Sequence, residues 1–413
     1  MSTGTDKYSR LISLRPAGNA SSRVPVISRA GAEAAEHIAR LLEAEQRETE
    51  RGRHLVVKRR FTDPTVSPVG PRAHSLLLPG GSELTSDPRN WIFLDTETTG
   101  LAGGTGTYAF LVGIAWWDDE GLAVEQYFMP DHSQEASMLL DLTGRLAGRP
   151  VLVTYNGKSF DCPLLETRFR MTRLGDMPLP EAHLDLLHPA RVIWKTRLVS
   201  VALGEIERHI LSLDRGPDIP SETIPGRYFA FLRGGPPEPL VDVFDHNAKD
   251  LRGMAVLALH IARMLEGTGD ADCDCDQLYG MSRLLRLRGE PQLALELGER
   301  ALAKGLSGAA ELSARRDLAL LSRRRRDYRA ASLHWSRLLG DRRAGMEAYE
   351  QLAIFHEHHS GDLEMAVGVT REALVRLQDD YRSGRVPPDQ YRRLQASFQH
   401  RLARLLRKVP LTE

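Results

Sequence analysis

The chain has 413 residues, 42% of them hydrophobic, which is too long for one ordinary domain and apolar enough for two or three cores. Lys plus Arg and Asp plus Glu each number 55, for a formal net charge of zero. A globally basic surface is thereby excluded as the means of holding nucleic acid, so any such binding needs a local patch. Three cysteines, Cys162, Cys273 and Cys275, exclude a disulfide framework and a four-thiolate zinc site.

Residues 1–30 are rich in Ser, Gly, Ala and Arg without periodicity, which predicts disorder. Residues 31–89 read as a preamble packed on the first domain. Ala, Ile and Leu recur at helical spacing from Ala32 to Arg53, and two short β-like pieces follow, His54 to Arg60 and His74 to Leu78.

The run Trp91-Ile92-Phe93-Leu94-Asp95-Thr96-Glu97-Thr98-Thr99-Gly100-Leu101 opens the second region, residues 90–266. Four apolar residues predict a buried strand, and residues two apart on a strand share a face. Asp95 and Glu97 therefore project together from the end of a core strand. Two like charges there repel each other and resist desolvation. Oxygen-ligated divalent cations are the countercharge that fits, and two solvated acids at a strand end are the alternative.

Strands are expected at Thr107–Trp117 and Val124–Pro130, joined by the acidic turn Asp118 to Gly121. A helix from Ser133 to Leu146 and a buried strand Val151–Tyr155 come next. In Tyr155-Asn156-Gly157-Lys158-Ser159-Phe160-Asp161 the strand breaks and a helix begins, with Ser159 suited to cap it and Asp161 in its first turn. A further strand is predicted at His183–Leu187, and helices at Ser200–Leu211 and Asp245–Leu265. On the last of these, His246 and Asp250 are four apart and share one face. Strands first, then strand–helix alternation, indicate a mixed α/β sheet. Gly103-Gly104-Thr105-Gly106 lacks the Lys-Ser/Thr ending of a phosphate loop and reads as a tight connection between strands.

Residues 267–277, with Asp270, Asp272, Asp274 and Asp276 around the two late cysteines, read as an acidic linker. From residue 278 to 413 the chain is helical and self-similar. Ala294, Ala331 and Ala366, spaced 37 and 35 residues apart, match the small positions of tetratricopeptide units of about 34 residues. The expectation is an all-α domain of such helical hairpins, closed by a capping helix at Asp389–Lys408. An ordinary helical bundle is the alternative. The run Arg323 to Arg326 reads as a solvated turn, with a nucleic-acid contact as the alternative, and the cluster His356-Glu357-His358-His359 as an exposed helix end.

Asp95-x-Glu97, Asp161 and Asp250, in that order, resemble the three sequence blocks of the DEDD 3′–5′ exonucleases, which share the RNase H-like fold. The segments Gly104 to Gly113, Tyr155 to Asp161, Leu184 to His188, Asp218-Ile219-Pro220 and His246-Asn247 look like the RNase H-like domain typified by the bacterial YprB proteins. The resemblance implies a mixed sheet of five to six strands flanked by helices, followed here by the helical repeats. It also implies two Mg²⁺ or Mn²⁺ ions held by Asp95, Glu97, Asp161 and Asp250, single-stranded DNA or RNA as substrate, and His246 as general base. By the same analogy Thr98, Thr99 and Leu101 line the pocket of the terminal nucleotide. Asn156 and Lys195 are further candidate substrate contacts, Lys195 together with Arg191 and Arg197 as phosphate partners. Asp185 reads as a supporting acid. One departure stands out. Family members with a His place it five residues before the last Asp, whereas here the spacing is four, a rotation of about 100° on the helix, which leaves the role of His246 open. The repeats imply a protein partner. No apolar stretch reaches membrane-spanning length and no hydrophobic signal region opens the chain, so no membrane role and a cytoplasmic location are expected. The alternative to an active nuclease is a catalytically silent adaptor that binds nucleic acid and recruits a protein through its repeats.

Overall fold

The computed structural model describes residues 29–62, 66, 68–100, 105–267 and 273–409. The expectations for residues 1–28, and for Leu101, lie outside the described residues.

One mixed sheet organises the first two-thirds of the chain. Its strands are β1 (Glu45–Thr49), β2 (Gly52–Phe61), β3 (Trp91–Thr98), β4 (Ala109–Asp118), β5 (Gly121–Phe128), β6 (Val151–Thr154) and β7 (Ala182–Asp185). They lie in the order β1-β2-β5-β4-β3-β6-β7. β3, β6 and β7 run parallel and every other pairing is antiparallel. Seven strands, rather than five to six, arise because the preamble joins the sheet: Leu55 to Phe61 pair with Leu122 to Phe128. The helix expected over 32–53 is correspondingly shorter. α1 (Arg29–Leu41) ends before Glu45-Gln46-Arg47-Glu48-Thr49, which becomes an exposed edge strand. A segment so polar has no strand signal of its own and takes the conformation because β2 offers it backbone partners. The piece expected to be β-like at 74–78 is a helix, α2 (Pro71–Leu77), opened by Pro71.

Both faces of the sheet are covered. On one side Trp91, Phe93, Ala115, Trp117, Val151 and Val153 form a core with the long helix α8 (Glu238–Glu266). On the other, Ile92, Leu94, Ile114 and Tyr127 form a second core with α3 (Glu135–Leu146) and α4 (Asp161–Met171). The four apolar residues opening β3 are at most 1% exposed. Burial of that kind contributes about 1.5–3 kcal/mol per large side chain, so the strand end carrying the acids is firmly held. The remaining elements of this region are α5 (Leu187–Trp194), α6 (Leu203–Ile206), which continues as a wide turn through Leu211, and α7 (Ile224–Leu232).

The acidic segment does not run on as a linker to residue 277. Asp274 caps α9 (Cys275–Leu287), accepting from the Gln277 amide at 2.8 Å while the Gln277 side chain accepts from the Asp274 amide at 3.1 Å. α9 packs on α5, and Gly280 lies so close to Ile193 that a Cβ there would stand 2.1 Å from the Ile193 carbonyl oxygen. Leu278, Leu285, Ala294 and Ala301 belong to the same core as Trp194 and Leu257, so the first helical hairpin is fused to the α/β unit. The succession continues with α10 (Pro291–Ala303), α11 (Gly308–Arg324), α12 (Tyr328–Leu338), α13 (Glu347–Phe355), α14 (Leu363–Arg382) and α15 (Pro388–Leu406). Ala294, Ala331 and Ala366 are all buried. The cluster at 356–359 is not simply exposed: the Glu357 side chain is fully buried and accepts from Arg404 at 2.5 Å and Lys408 at 2.7 Å, tying the last helix down. Arg323 is engaged by Gln351 at 2.7 Å, and Arg325 by Gln292.

Candidate active site

The four acids come from three elements that meet at the carboxyl end of β3. Asp95 and Glu97 face α8, on the side of Phe93. On β4, Gly113 is paired with Asp95, and a Cβ at Gly113 would lie 2.1 Å from Asn247 Oδ1. The absent side chain lets Asn247, fully buried on α8, donate from Nδ2 to Asp95 Oδ2 at 2.8 Å. Gln126 Nε2 donates to Asn247 Oδ1 at 2.8 Å and fixes which way the amide points. From the opposite side of the sheet, Thr96 Oγ1 donates to Asp161 Oδ1 at 2.5 Å. Asp161 opens α4 as expected, but the residue before the helix is Phe160, and Ser159 makes no side-chain cap.

The charges respond to this crowding. Burial first, then the Asp250, Glu97 and Asp161 charges, push the Asp95 carboxyl well above its usual range. Burial, Asp250, Asp161 and Asp218 do the same to Glu97. Asp161 is pushed up to about 6, chiefly by burial and against the hydrogen bond from Thr96. Among the described residues no hydrogen-bond donor reaches the Glu97 carboxyl, which is only 9% exposed. A buried carboxyl without a donor, among three other acids, lacks a countercharge, and a cation is the chemistry that suits it.

The acids are neighbours but not a preformed cage. Among the described residues no three His, Cys, Asp or Glu side chains converge so as to grip one ion. The reason is that three of the four turn onto protein donors: Asp95 onto Asn247, Asp161 onto Thr96, and Asp250 onto Arg215. Arg215 was not singled out in the sequence. Its guanidinium also binds Glu207, and Asp218 Oδ2 at 2.8 Å. Burial pushes the Glu207 carboxyl up to about 7 despite Arg215. Gly253 on α8 admits Glu207, since a Cβ there would lie 1.5 Å from Glu207 Oε1.

His246, 6% exposed, shares the face of Asp250, with Nε2 at 3.7 Å from Asp250 Oδ2. Nδ1 lies 2.8 Å from Asp218 Oδ1, and Ser221 Oγ is 3.3 Å from Nε2. Burial works upward on Asp218, but the hydrogen bond and charge of His246, with Arg215, leave its carboxyl lowered. Asp218 thus orients the imidazole, with Nε2 turned toward the acids. A cleft lined by Arg208, Arg215, Asp218, Ser221 and His246 opens over this ring.

The other expected contacts divide. Thr98 Oγ1 donates to the Gly100 carbonyl at 3.0 Å, and Thr99 Oγ1 accepts from the Tyr108 amide at 2.9 Å, so both hydroxyls close the loop after β3. Asn156 adopts φ +70° and its amide donates to Asp185 at 2.8 Å. Asp185, 3% exposed, also accepts from the amides of Lys158 and Leu187, each at 3.1 Å, a supporting acid that shapes the loop before Asp161. The half-exposed Arg197 guanidinium is paired with Asp274. Arg191 is exposed on α5, and Lys195 is exposed just past its end.

The raised carboxyls carry a pH consequence. A folded carboxyl above its unfolded value binds protons more tightly in the folded chain, so its stabilisation is complete below the unfolded pKa of about 4 and is lost as pH rises through the folded one. In EDTA the melting temperature is therefore expected to fall between about pH 4 and about pH 6.5, the window set by Asp161 at about 6. Asp161→Asn should flatten that slope, measured by calorimetry. An unchanged slope in the variant would refute the assignment.

Two comparisons with known proteins bear on the site. A family model described as RNase_H superfamily matches residues 92–262, a span containing all four acids and His246. The chain is also 32% identical over 294 residues to the uncharacterized protein YprB of Bacillus subtilis (strain 168), covering 69% of this chain and 69% of that one. Among the described residues no helix is long and apolar enough to cross a membrane.

Proposed function

Because the chain belongs to the RNase H superfamily, we propose that it is a metal-dependent 3′–5′ exonuclease hydrolysing single-stranded DNA or RNA. The observation that carries the reading is the meeting of Asp95, Glu97, Asp161 and Asp250 at the end of β3, where the charges of the other acids push up the buried Asp95 and Glu97 carboxyls. RNase H-like nucleases use divalent metals, and Mg²⁺ or Mn²⁺, two ions held among these four acids, would supply Lewis acidity at the attacking water and at the leaving oxygen.

The chain's own residues do the rest. Asn247 and Thr96 aim Asp95 and Asp161, and relief of the mutual repulsion is the driving force for taking up a cation. Asp218 holds Nδ1 of His246, so that Nε2 can accept a proton from water near Asp250. The four-residue spacing serves this, because it keeps His246 and Asp250 on one face. Arg215 holds Asp250, so Asp250 would serve as a metal ligand only with that ion pair opened. The helical segment, read as tetratricopeptide-like hairpins, would recruit a protein partner.

The test is incubation of a 5′-labelled oligonucleotide with the full chain and Mg²⁺ or Mn²⁺, expecting a ladder that shortens from the 3′ end. Absence of shortening on both DNA and RNA with both metals overturns the reading. A silent adaptor is the second reading, favoured by the Arg215 guanidinium on Asp250. It predicts oligonucleotide binding that survives Asp95→Asn in a chain that never cleaves.

A further inference from the structure

Behind the loop that precedes Asp161 lies a second cleft, of about 310 Å³, walled by β7, the loop 77–81, Lys158, His188 and Arg288. It adjoins the acids: Asp185 is in its wall, and the Asp185 charge also raises Asp161. β7 lies two places from β3 in the sheet, roughly 10 Å at the usual strand spacing.

Lys158, His188 and Arg288 are exposed, and among the described residues none of their side chains makes a hydrogen bond or ion pair. Elsewhere arginines are mostly paired, as Arg168, Arg215 and Arg404 are. Two acids line the same cleft. Asp185 is buried and its charge is shared among three backbone amides, so Glu181 at the rim is the exposed one. His183 is turned to Thr154 Oγ1 at 2.9 Å, and burial with the nearby Lys158 lowers its pKa to about 4, so it is neutral near pH 7. Arg191 on α5 and Lys195 just past its end follow His188 at three and seven residues and share its face. Neither has a side-chain partner among the described residues. Unpartnered Lys and Arg side chains spread along a polar cleft suit an extended polyanion better than a single small anion.

We propose that this cleft is a phosphate subsite for the nucleic-acid strand, away from the bond being cleaved, built jointly by the α/β unit through Lys158 and His188 and by the helical segment through Arg288. The proposal rests on the nucleic-acid reading above for its ligand and gives the first helical hairpin a direct part in holding substrate. Because α9 shares a core with α5, Arg288 is carried on a rigid support.

The experiment measures anisotropy of fluorescein-labelled oligonucleotides of about 4 and about 16 nucleotides with the full chain in Ca²⁺, over a salt series. Lys158→Glu and Arg288→Glu should each weaken the long strand about 10-fold and lower the salt slope by about one, the signature of a lost phosphate contact. The short strand should lose little. Arg324→Glu, on the exposed end of α11, is the charge control and should change nothing. Unchanged affinity and slope in both cleft variants overturn the subsite while leaving any observed cleavage, and so the exonuclease reading, intact. A selective loss for the long strand in a chain that never cleaves sustains the subsite and removes the exonuclease reading instead. Displacement of the long strand by equimolar pyrophosphate would also overturn it, by making the cleft a small-anion site.

Discussion

Asp95→Asn is expected to abolish metal-dependent trimming, by about 10³-fold or more, and to raise the melting temperature of the metal-free protein. Both effects have one cause. Asp95 is pushed up by burial and by the Asp250, Glu97 and Asp161 charges, so removing its charge relieves repulsion in the empty site. The same removal takes away an oxygen ligand that a divalent ion needs. The several kcal/mol that a metal supplies to phosphodiester hydrolysis correspond to at least ~10³ in rate. The amide keeps the shape, and Asn247 can rotate only against its bond from Gln126, so the change is electrostatic rather than steric. Mn²⁺ should stabilise the parent chain and fail to stabilise the variant, measured by thermal shift. A variant that cleaves at more than a tenth of the parental rate would remove Asp95 from the metal site.

Glu135→Ala is expected to cost roughly 3–5 kcal/mol of stability, the effect of stranding one member of a buried ion pair. Arg168 on α4 donates from Nε and Nη2 to the two Glu135 oxygens, both at 2.5 Å, with the two side chains 3% and 5% exposed. The same guanidinium donates to the Thr105 carbonyl at 2.9 Å and lies 3.9 Å over the Tyr108 ring. It therefore ties α3, α4 and the loop after β3 together beside the acids. Left without Glu135, it is a desolvated charge facing a carbonyl, a ring and the Met171 sulfur, none of which carries a countercharge. Denaturant unfolding of Glu135→Ala, Arg168→Met and the Glu135→Leu/Arg168→Met pair checks this. The pair should recover most of the loss, since apolar replacement of both partners is often neutral. A single-variant cost below about 1 kcal/mol would show that water reaches the pair.

Local periodicity carried much of this protein. Four apolar residues and two acids at spacing two are sufficient to place Asp95 and Glu97 on one face of a core strand, and β3 spans Trp91–Thr98 accordingly. Helical spacing placed His246 and Asp250 on one face, and α8 contains both. These readings succeed because period two and period 3.6 are properties of neighbouring residues.

Tertiary structure decided the rest. Residues 45–49 carry no strand signal and are a strand only because β2 lies alongside. No spacing in the sequence announces that Arg215 reaches Asp250, 35 residues on, or that Asp218 turns His246, 28 residues on. Gly113 and Asn247 stand in segments that carry the family resemblance, but what they do is visible only where β4 and α8 meet over Asp95. The composition alone determined that any nucleic-acid contact must be local, whereas the Asp95/Glu97 spacing alone left a cation site and two solvated acids both open. Which donors hold those acids, and which unpaired cations lie beside them, depended on packing between elements far apart in the chain, because a side chain's partners are set by the fold and not by its neighbours in sequence.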